Sequence, residues 1–272
     1  MSITPIVQMR FAFAGDTARP SDDTSGKADQ FQPEVLEALL RQAQDITVPS
    51  LDVQEDKDFR VIVLTAHDLP ALYMTRLTQL FGDTFGDRAE VIPRRPSPEF
   101  RQFIRHNRAI LPPASQIAQV ALDIGHAVST DFIWRIRKEA SDMRRQLPDE
   151  VDHFFLSLSR GISMVIEEGE ASPKFYNRDM PYTSIGLTAV SDVGARISPF
   201  RVSPRKIGRQ YPSFVYNDMS PYYLRLVPNG RAGLGGFDGD GSVREDVIPR
   251  IIQRFPLLRT FMPKGHLRVA AE

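Results

Sequence analysis

Cysteine is absent from the 272 residues, which excludes disulfides, thiol nucleophiles and cysteine-bound zinc together. Charge of one sign is also missing, since Lys+Arg and Asp+Glu both number 34. No overall field therefore draws the chain to nucleic acid or to an anionic membrane, and any basic surface must be local. No apolar run approaches the ~20 residues that span a bilayer, and no basic start leads into an apolar signal core. The expectation is a cytoplasmic protein with no transmembrane segment and no nucleic-acid partner, for which peripheral membrane contact stays open.

Several sharp motifs fail as well. Gly233-Leu234-Gly235-Gly236 lacks the third glycine of a dinucleotide fingerprint and does not follow the first strand. Asp238-Gly239-Asp240-Gly241 has Val243 where a calcium loop needs glycine and Pro249 where its closing glutamate belongs. Gly-x-Ser-x-Gly, His-Glu-x-x-His and a phosphate-binding Gly-Lys-Ser/Thr are all missing, so hydrolase and nucleotide triphosphatase readings lose their usual support.

What is present is a globular α/β pattern. At 42% hydrophobic content the chain can bury one substantial core, and a single domain over 1–272 is the simplest organisation. Val7, Met9, Phe11 and Phe13 alternate with Gln8, Arg10 and Ala12, the period of a strand. Residues 60–65 (RVIVLT) form an apolar run too short for a helix, which reads as a strand buried on both faces of a parallel sheet. Asp68 is positioned to cap a following helix whose Leu72, Tyr73, Leu77 and Leu80 point inward. Further strands are predicted at 90–93 and 116–123, with helices over 33–43, after Ser97-Pro98 and after Asp131.

The second half changes character, with strand-like runs at 154–159, 162–167, 183–191 and 222–227 and a last helix near Pro249. Residues 15–30 are almost without apolar side chains and read as an exposed loop. Glycine recurs too densely between 230 and 241 for a packed element. The fold expected is an open mixed, largely parallel sheet flanked by helices, with extra strands in the C-terminal half.

Asp123 ends an apolar run, which puts a carboxylate at the carboxyl end of a strand, where open α/β sheets bind ligands. With Arg10-Phe11, the block Thr47-x-Pro49-Ser50-Leu51-x-x-Gln54-x-Asp56-x-Asp58-Phe59, Leu69-Pro70, Leu122-Asp123, Arg160-Gly161 and Tyr223-Leu224-Arg225, it resembles the bacterial putative rhamnosyl transferases. These look like glycosyltransferases of the GT-A fold. The resemblance implies transfer of a sugar, rhamnose by the family label, from a nucleotide-sugar donor to a glycan or lipid-linked acceptor. It implies a nucleotide-binding half over about 1–148, an acceptor side over 149–228, and a glycine-rich loop with a C-terminal helix over 229–272. The alternative is a degenerate member that binds sugar or protein without turnover, because the family's acidic run is here Asp123-Ile124-Gly125-His126.

A sugar leaves its nucleoside diphosphate only if the charge growing on the diphosphate is stabilised, and Mn or Mg held by an Asp-x-Asp pair is one way to do so. Here Gly125 stands at the second position. That leaves Asp123, helped by His126 if Gly125 turns the backbone, as the candidate metal ligands. Arginines could neutralise the diphosphate instead. Arg101, Arg105 and Arg108 share one helix face, and Arg205 belongs to a second basic cluster; a solvated face is the plainer reading of each. Arg10 lies inside a strand, so it needs an acid or a ligand. The nucleotide-sugar candidates are therefore Arg10, Asp123, Arg101, Arg105 and Arg205. For the base that takes the acceptor proton, Asp218 leads, with Asp152 and Asp179 as rivals.

Overall fold

Strand β1 (Ile3–Phe11) lies inside the larger sheet, and its neighbours explain its sequence. In this computed structural model, which describes residues 3–13, 31–113, 115–167, 169, 172–228 and 241–262, β1 pairs in parallel with β2 (Arg60–Ala66) and with β4 (Gln116–Ala121). β3 (Ala89–Arg94) continues the parallel edge beyond β2. Alternation in β1 suggests one wet face, yet Gln8 is fully buried and meets Asn107 of a helix at 3.4 Å. The polar alternates are absorbed by partners inside the fold rather than by water.

The remaining strands divide between two sheets. β6 (His153–Leu158), β9 (Thr188–Asp192) and β10 (Ser213–Tyr216) complete a seven-stranded sheet of order β10-β6-β9-β4-β1-β2-β3, in which only β9 runs antiparallel to its neighbours. β5 (His126–Val128), β7 (Arg160–Ile166), β8 (Lys174–Asp179) and β11 (Tyr223–Pro228) form a smaller sheet of order β5-β11-β7-β8. The open mixed, largely parallel sheet and the extra C-terminal strands are thus both present. The strands do not respect a division near residue 148: β6, β9 and β10 join the large sheet, and β5 edges the small one.

Helices α1 (Pro33–Gln42) and α2 (Val48–Asp52) are joined through a π-helical turn at Ala43–Thr47. α3 (Ala71–Phe85), α4 (Glu99–Ile110) and α5 (Phe132–Gln146) follow β2, β3 and β5, then α6 (Pro204–Gln210) and α7 (Ile248–Arg254). Two local expectations are corrected. Pro70 rather than Asp68 precedes α3, without a side-chain cap, and Leu72 is 62% exposed while Tyr73 and Leu77 are buried. Proline's fixed φ starts the helix two residues later than the aspartate would, which rotates Leu72 outward. The stretches 15–30 and 230–240 lie outside the described residues. Among the described residues no helix is long and apolar enough to cross a membrane.

Gly161 shows how tightly the small sheet is packed. A Cβ there would sit 2.3 Å from the ring of Tyr223, a fully buried residue of the main core. The ring cannot swing away, because its hydroxyl donates to the Ser159 carbonyl at 3.3 Å and core neighbours surround it. Gly161→Ala is expected to destabilise the protein by about 1–3 kcal/mol, the usual cost of overpacking. A lower urea midpoint with unchanged slope would show it.

Candidate functional site

The site grows from the carboxyl ends of β1 and β4. Arg10, near the end of β1, donates Nε to Asp123 Oδ1 at 3.1 Å and Nη2 to Asp123 Oδ2 at 2.9 Å. Its Nη1 reaches Glu99 Oε1 at 3.2 Å, and its guanidinium lies 5.3 Å from the Phe200 ring centre. Glu99 is 3% exposed, so Arg10 is the cation that allows a buried carboxylate there. Burial works against the Arg10 charge, but Asp123 and Glu99 outweigh it and hold its pKa above the ordinary value.

Beyond Asp123 the chain turns sharply. Gly125 has φ +88°, and His126 N–H donates to the Asp123 carbonyl at 3.3 Å. A Cβ on Gly125 would meet Gln42 Oε1 at 2.5 Å. Both the positive φ and this contact oppose an aspartate at 125, so a simple substitution does not recreate an Asp-x-Asp pair. The turn is held from below by the block that carries the resemblance. Gly125 N–H donates to Thr47 Oγ1 at 2.9 Å; Gln54 Nε2 donates to the Ser129 carbonyl at 2.8 Å, and Gln54 Oε1 accepts from Ile133 N–H at 3.0 Å. Asp56 pairs with Arg137 of α5 at 2.7 Å. The block at 47–59 thus positions the loop after β4 and the start of α5.

His126 enters the small sheet as the first residue of β5, opposite Arg225 of β11. Arg225 lies opposite Ser163 of β7, and two residues further back Gly161 lies opposite Arg178 of β8. Strand alternation puts His126, Arg225 and Arg178 on one face. They line a cleft of about 510 Å³ with Arg205 of α6, Met180 and Ile185. Burial, and then the neighbouring Arg178, lower the Arg225 pKa. Two guanidiniums that disfavour each other on one face suit an anionic ligand.

Burial also lowers His126, to about 4, against the opposing pull of Asp123. The unfolded chain, with a histidine pKa of 6.5, takes up a proton that the native state refuses. Stability therefore falls as pH drops from 6.5 toward 4, by up to roughly 3 kcal/mol. The melting temperature of His126→Gln should show less loss than the native protein over that interval.

The sequence candidates separate on this geometry. Arg10 and Asp123 meet; His126 and Arg205 line the cleft. Arg101 and Arg105 are exposed on α4 and do not line it, Arg101 lying 5.8 Å from the Phe100 ring. Asp218, the leading base candidate, lies away from the cleft. It sits in a turn, accepting from Ser220 N–H at 2.9 Å and from the Tyr222 hydroxyl at 2.7 Å, with Arg135 at 3.5 Å, and it lines neither this cleft nor the neighbouring one. Asp179 is better placed. Arg178 and Met180, on either side of it, line the cleft, while Asp179 itself faces an adjoining concavity. Its carboxylate is oriented by Ser159 Oγ at 2.7 Å and Asn217 Nδ2 at 2.7 Å. Sequence reasoning passed over Arg178; a period-two reading of KFYNRD and YLRLVP would have aligned it with Arg225.

A resident divalent metal fits these residues poorly. Both oxygens of Asp123 already accept from Arg10. Among the described residues no three His, Cys, Asp or Glu side chains come together as a metal set. A metal would have to displace an arginine that also compensates buried Glu99.

Residues 6–229 match the model of the putative rhamnosyl transferase family, and the chain belongs to that family. No curated protein matches it. Similar solved structures include the S. aureus TarS 1–349 fragment, at 9% identity and TM-score 0.42 over 82% of this chain and 60% of that one. The same fragment in complex with UDP-GlcNAc is 11% identical, with TM-score 0.41 over 98% and 69%. HddC from Yersinia pseudotuberculosis is 10% identical, with TM-score 0.35 over 83% and 90%. The chain thus spans about three-fifths of the length of the first TarS fragment.

Proposed function

We propose that the chain is a glycosyltransferase that takes a sugar, rhamnose by the family description, from a nucleoside-diphosphate donor held in the arginine-lined cleft. The observation that carries this reading is the placement of Arg178, Arg205 and Arg225 together beside the carboxyl edge of β4, in a chain of this family. As the bond from the anomeric carbon to the diphosphate breaks, the leaving oxygen gains negative charge, and guanidiniums fixed nearby stabilise it. Arg10 and Asp123 form an ion pair outside the cleft lining, with Asp123 three residues before cleft-lining His126. Asp179 takes the proton from the acceptor hydroxyl as that oxygen bonds to the anomeric carbon. A single displacement of this kind inverts the anomeric centre. The acceptor is a glycan or lipid-linked sugar, and the reading puts the protein in the cytoplasm, where nucleotide sugars are made.

The test is calorimetric titration with a panel of nucleotide sugars, with and without manganese, followed by assay of donor turnover and product configuration. We expect one donor to bind saturably, with affinity changed less than about threefold by manganese, and an inverted product. Binding that requires manganese would overturn the arginine mechanism. Binding without any turnover, across acceptors, would favour the alternative of a binding protein. No binding by any nucleotide sugar would end the transferase reading.

A further inference from the structure

A second concavity, of about 600 Å³, adjoins the cleft and shares Arg178 with it. It lies between the first residues of β7, the last of β8, the β10–β11 connection and α7, and its lining mixes two chemistries. Met219 is 83% exposed and Val247 37% exposed, in a lining that also holds buried Ile162 and Ile251. Two large apolar side chains held in water beside a concave surface mark a place that something apolar covers. The same lining is also cationic. Arg160 is fixed through Nε to Asn217 Oδ1 at 2.8 Å, and exposed Arg250 stands on α7 with no ion pair among the described residues. The described lining holds no aromatic ring. It joins saturated hydrocarbon to guanidinium, with the single carboxylate of Asp179 at the border of the donor cleft.

Neither half explains the other. A site for a free anion has no use for exposed Met219 and Val247, and an apolar docking site has no use for Arg160 and Arg250. One ligand class uses both: a phosphate ester whose phosphate meets the guanidiniums and whose alkyl chain covers the apolar residues. We infer that this concavity is the acceptor site and that the acceptor is a sugar carried on an alkyl phosphate, an inference that rests on the donor reading above. Arg160 and Arg250 hold the phosphate, and the chain lies on Met219 and Val247. The sugar hydroxyl is thereby directed at Asp179 and the donor beyond it. In the transfer the hydroxyl oxygen bonds to the anomeric carbon and its proton passes to Asp179. The bond to the diphosphate breaks, and its electron pair leaves with the nucleoside diphosphate.

Decyl phosphate, kept below its micelle concentration, probes the site without a sugar. Calorimetry on the full chain should give an affinity at least ~10-fold above that of inorganic phosphate, since buried methylenes add to the ionic contact. Arg250→Ala and Met219→Ser should each weaken it about 5- to 10-fold. Both substitutions lie at exposed positions, so folding is not at risk, and circular dichroism checks it. Equal affinity for decyl and inorganic phosphate would overturn the alkyl-phosphate assignment, and unchanged affinity in both variants would overturn its location. Binding to phosphatidic acid vesicles without binding to monomeric decyl phosphate would mean attraction to a lipid surface instead, and would also overturn it. Uridine, guanosine and thymidine diphosphates, titrated separately, report the donor cleft. If one binds while decyl phosphate does not, the acceptor inference fails alone; if none binds, the donor reading fails first.

Discussion

Asp179→Asn is expected to lower turnover about 100- to 10,000-fold while leaving the affinity for the donor's nucleoside diphosphate within about twofold. Asparagine keeps the size of the side chain, and its carbonyl oxygen can still accept from Ser159 or Asn217, the two groups that orient the native carboxylate at 2.7 Å. What it loses is the ability to take a proton. The fall should therefore appear in kcat, and the binding isotherm for the diphosphate should hardly move, because the arginines of the cleft are untouched. Asp218→Asn is the matched control. Asp218 organises a surface turn through Ser220 and Tyr222, so its loss should cost about 1 kcal/mol of stability and leave kcat within a few-fold. If Asp218→Asn abolishes turnover and Asp179→Asn does not, Asp218 rather than Asp179 is the base. Asp179→Asn turnover above about one tenth of native would remove the base role from Asp179.

The two aspartates show where the sequence stopped being legible. Both stand among turn-forming residues, and nothing local separates them; the difference lies in which strand ends are brought together. Asp179 moves ahead of Asp218 only because β8 lies beside β7 and the connection after it passes the donor cleft. The parallel strands were readable from short apolar runs such as 60–65, because a strand buried on both faces has a distinctive composition. Asp123 was readable for the same reason, as the first polar residue after such a run. The block at 47–59 was conspicuous in the sequence, but its chemistry was not. Thr47 and Gln54 spend their polar atoms on backbone groups of Gly125, Ser129 and Ile133, 78 or so positions away. Contacts at that separation are set by topology, which periodicity does not encode. A strand-interior Arg10 needs an acid; that it is held by two carboxylates, one of them nearly dry, follows from the register of β1 against β4 and the approach of α4.

That register sets up the second large effect. Arg10→Met is expected to destabilise the protein by about 3–5 kcal/mol, because it leaves the buried Glu99 carboxylate without its cation. For a chain of this length the melting temperature should fall by about 10 °C. Methionine fills much of the arginine stem's volume, so packing loss alone would be far smaller. Glu99→Gln in the same chain should restore a large part of the loss, since it removes the charge that lacks a partner, and a double-mutant cycle isolates that coupling. The variant also tests the metal argument. Arg10 touches Asp123 at 2.9 Å and Glu99 at 3.2 Å, so its removal leaves two carboxylates facing one cation-sized gap. Manganese at millimolar concentration should then raise the melting temperature of Arg10→Met and leave that of the native protein unchanged. The sign follows from competition: in the native protein the arginine already occupies the place where a divalent ion would sit. If manganese stabilises the native protein as much as the variant, Arg10 is not the group that fills the site, and a metal belongs beside Asp123 after all.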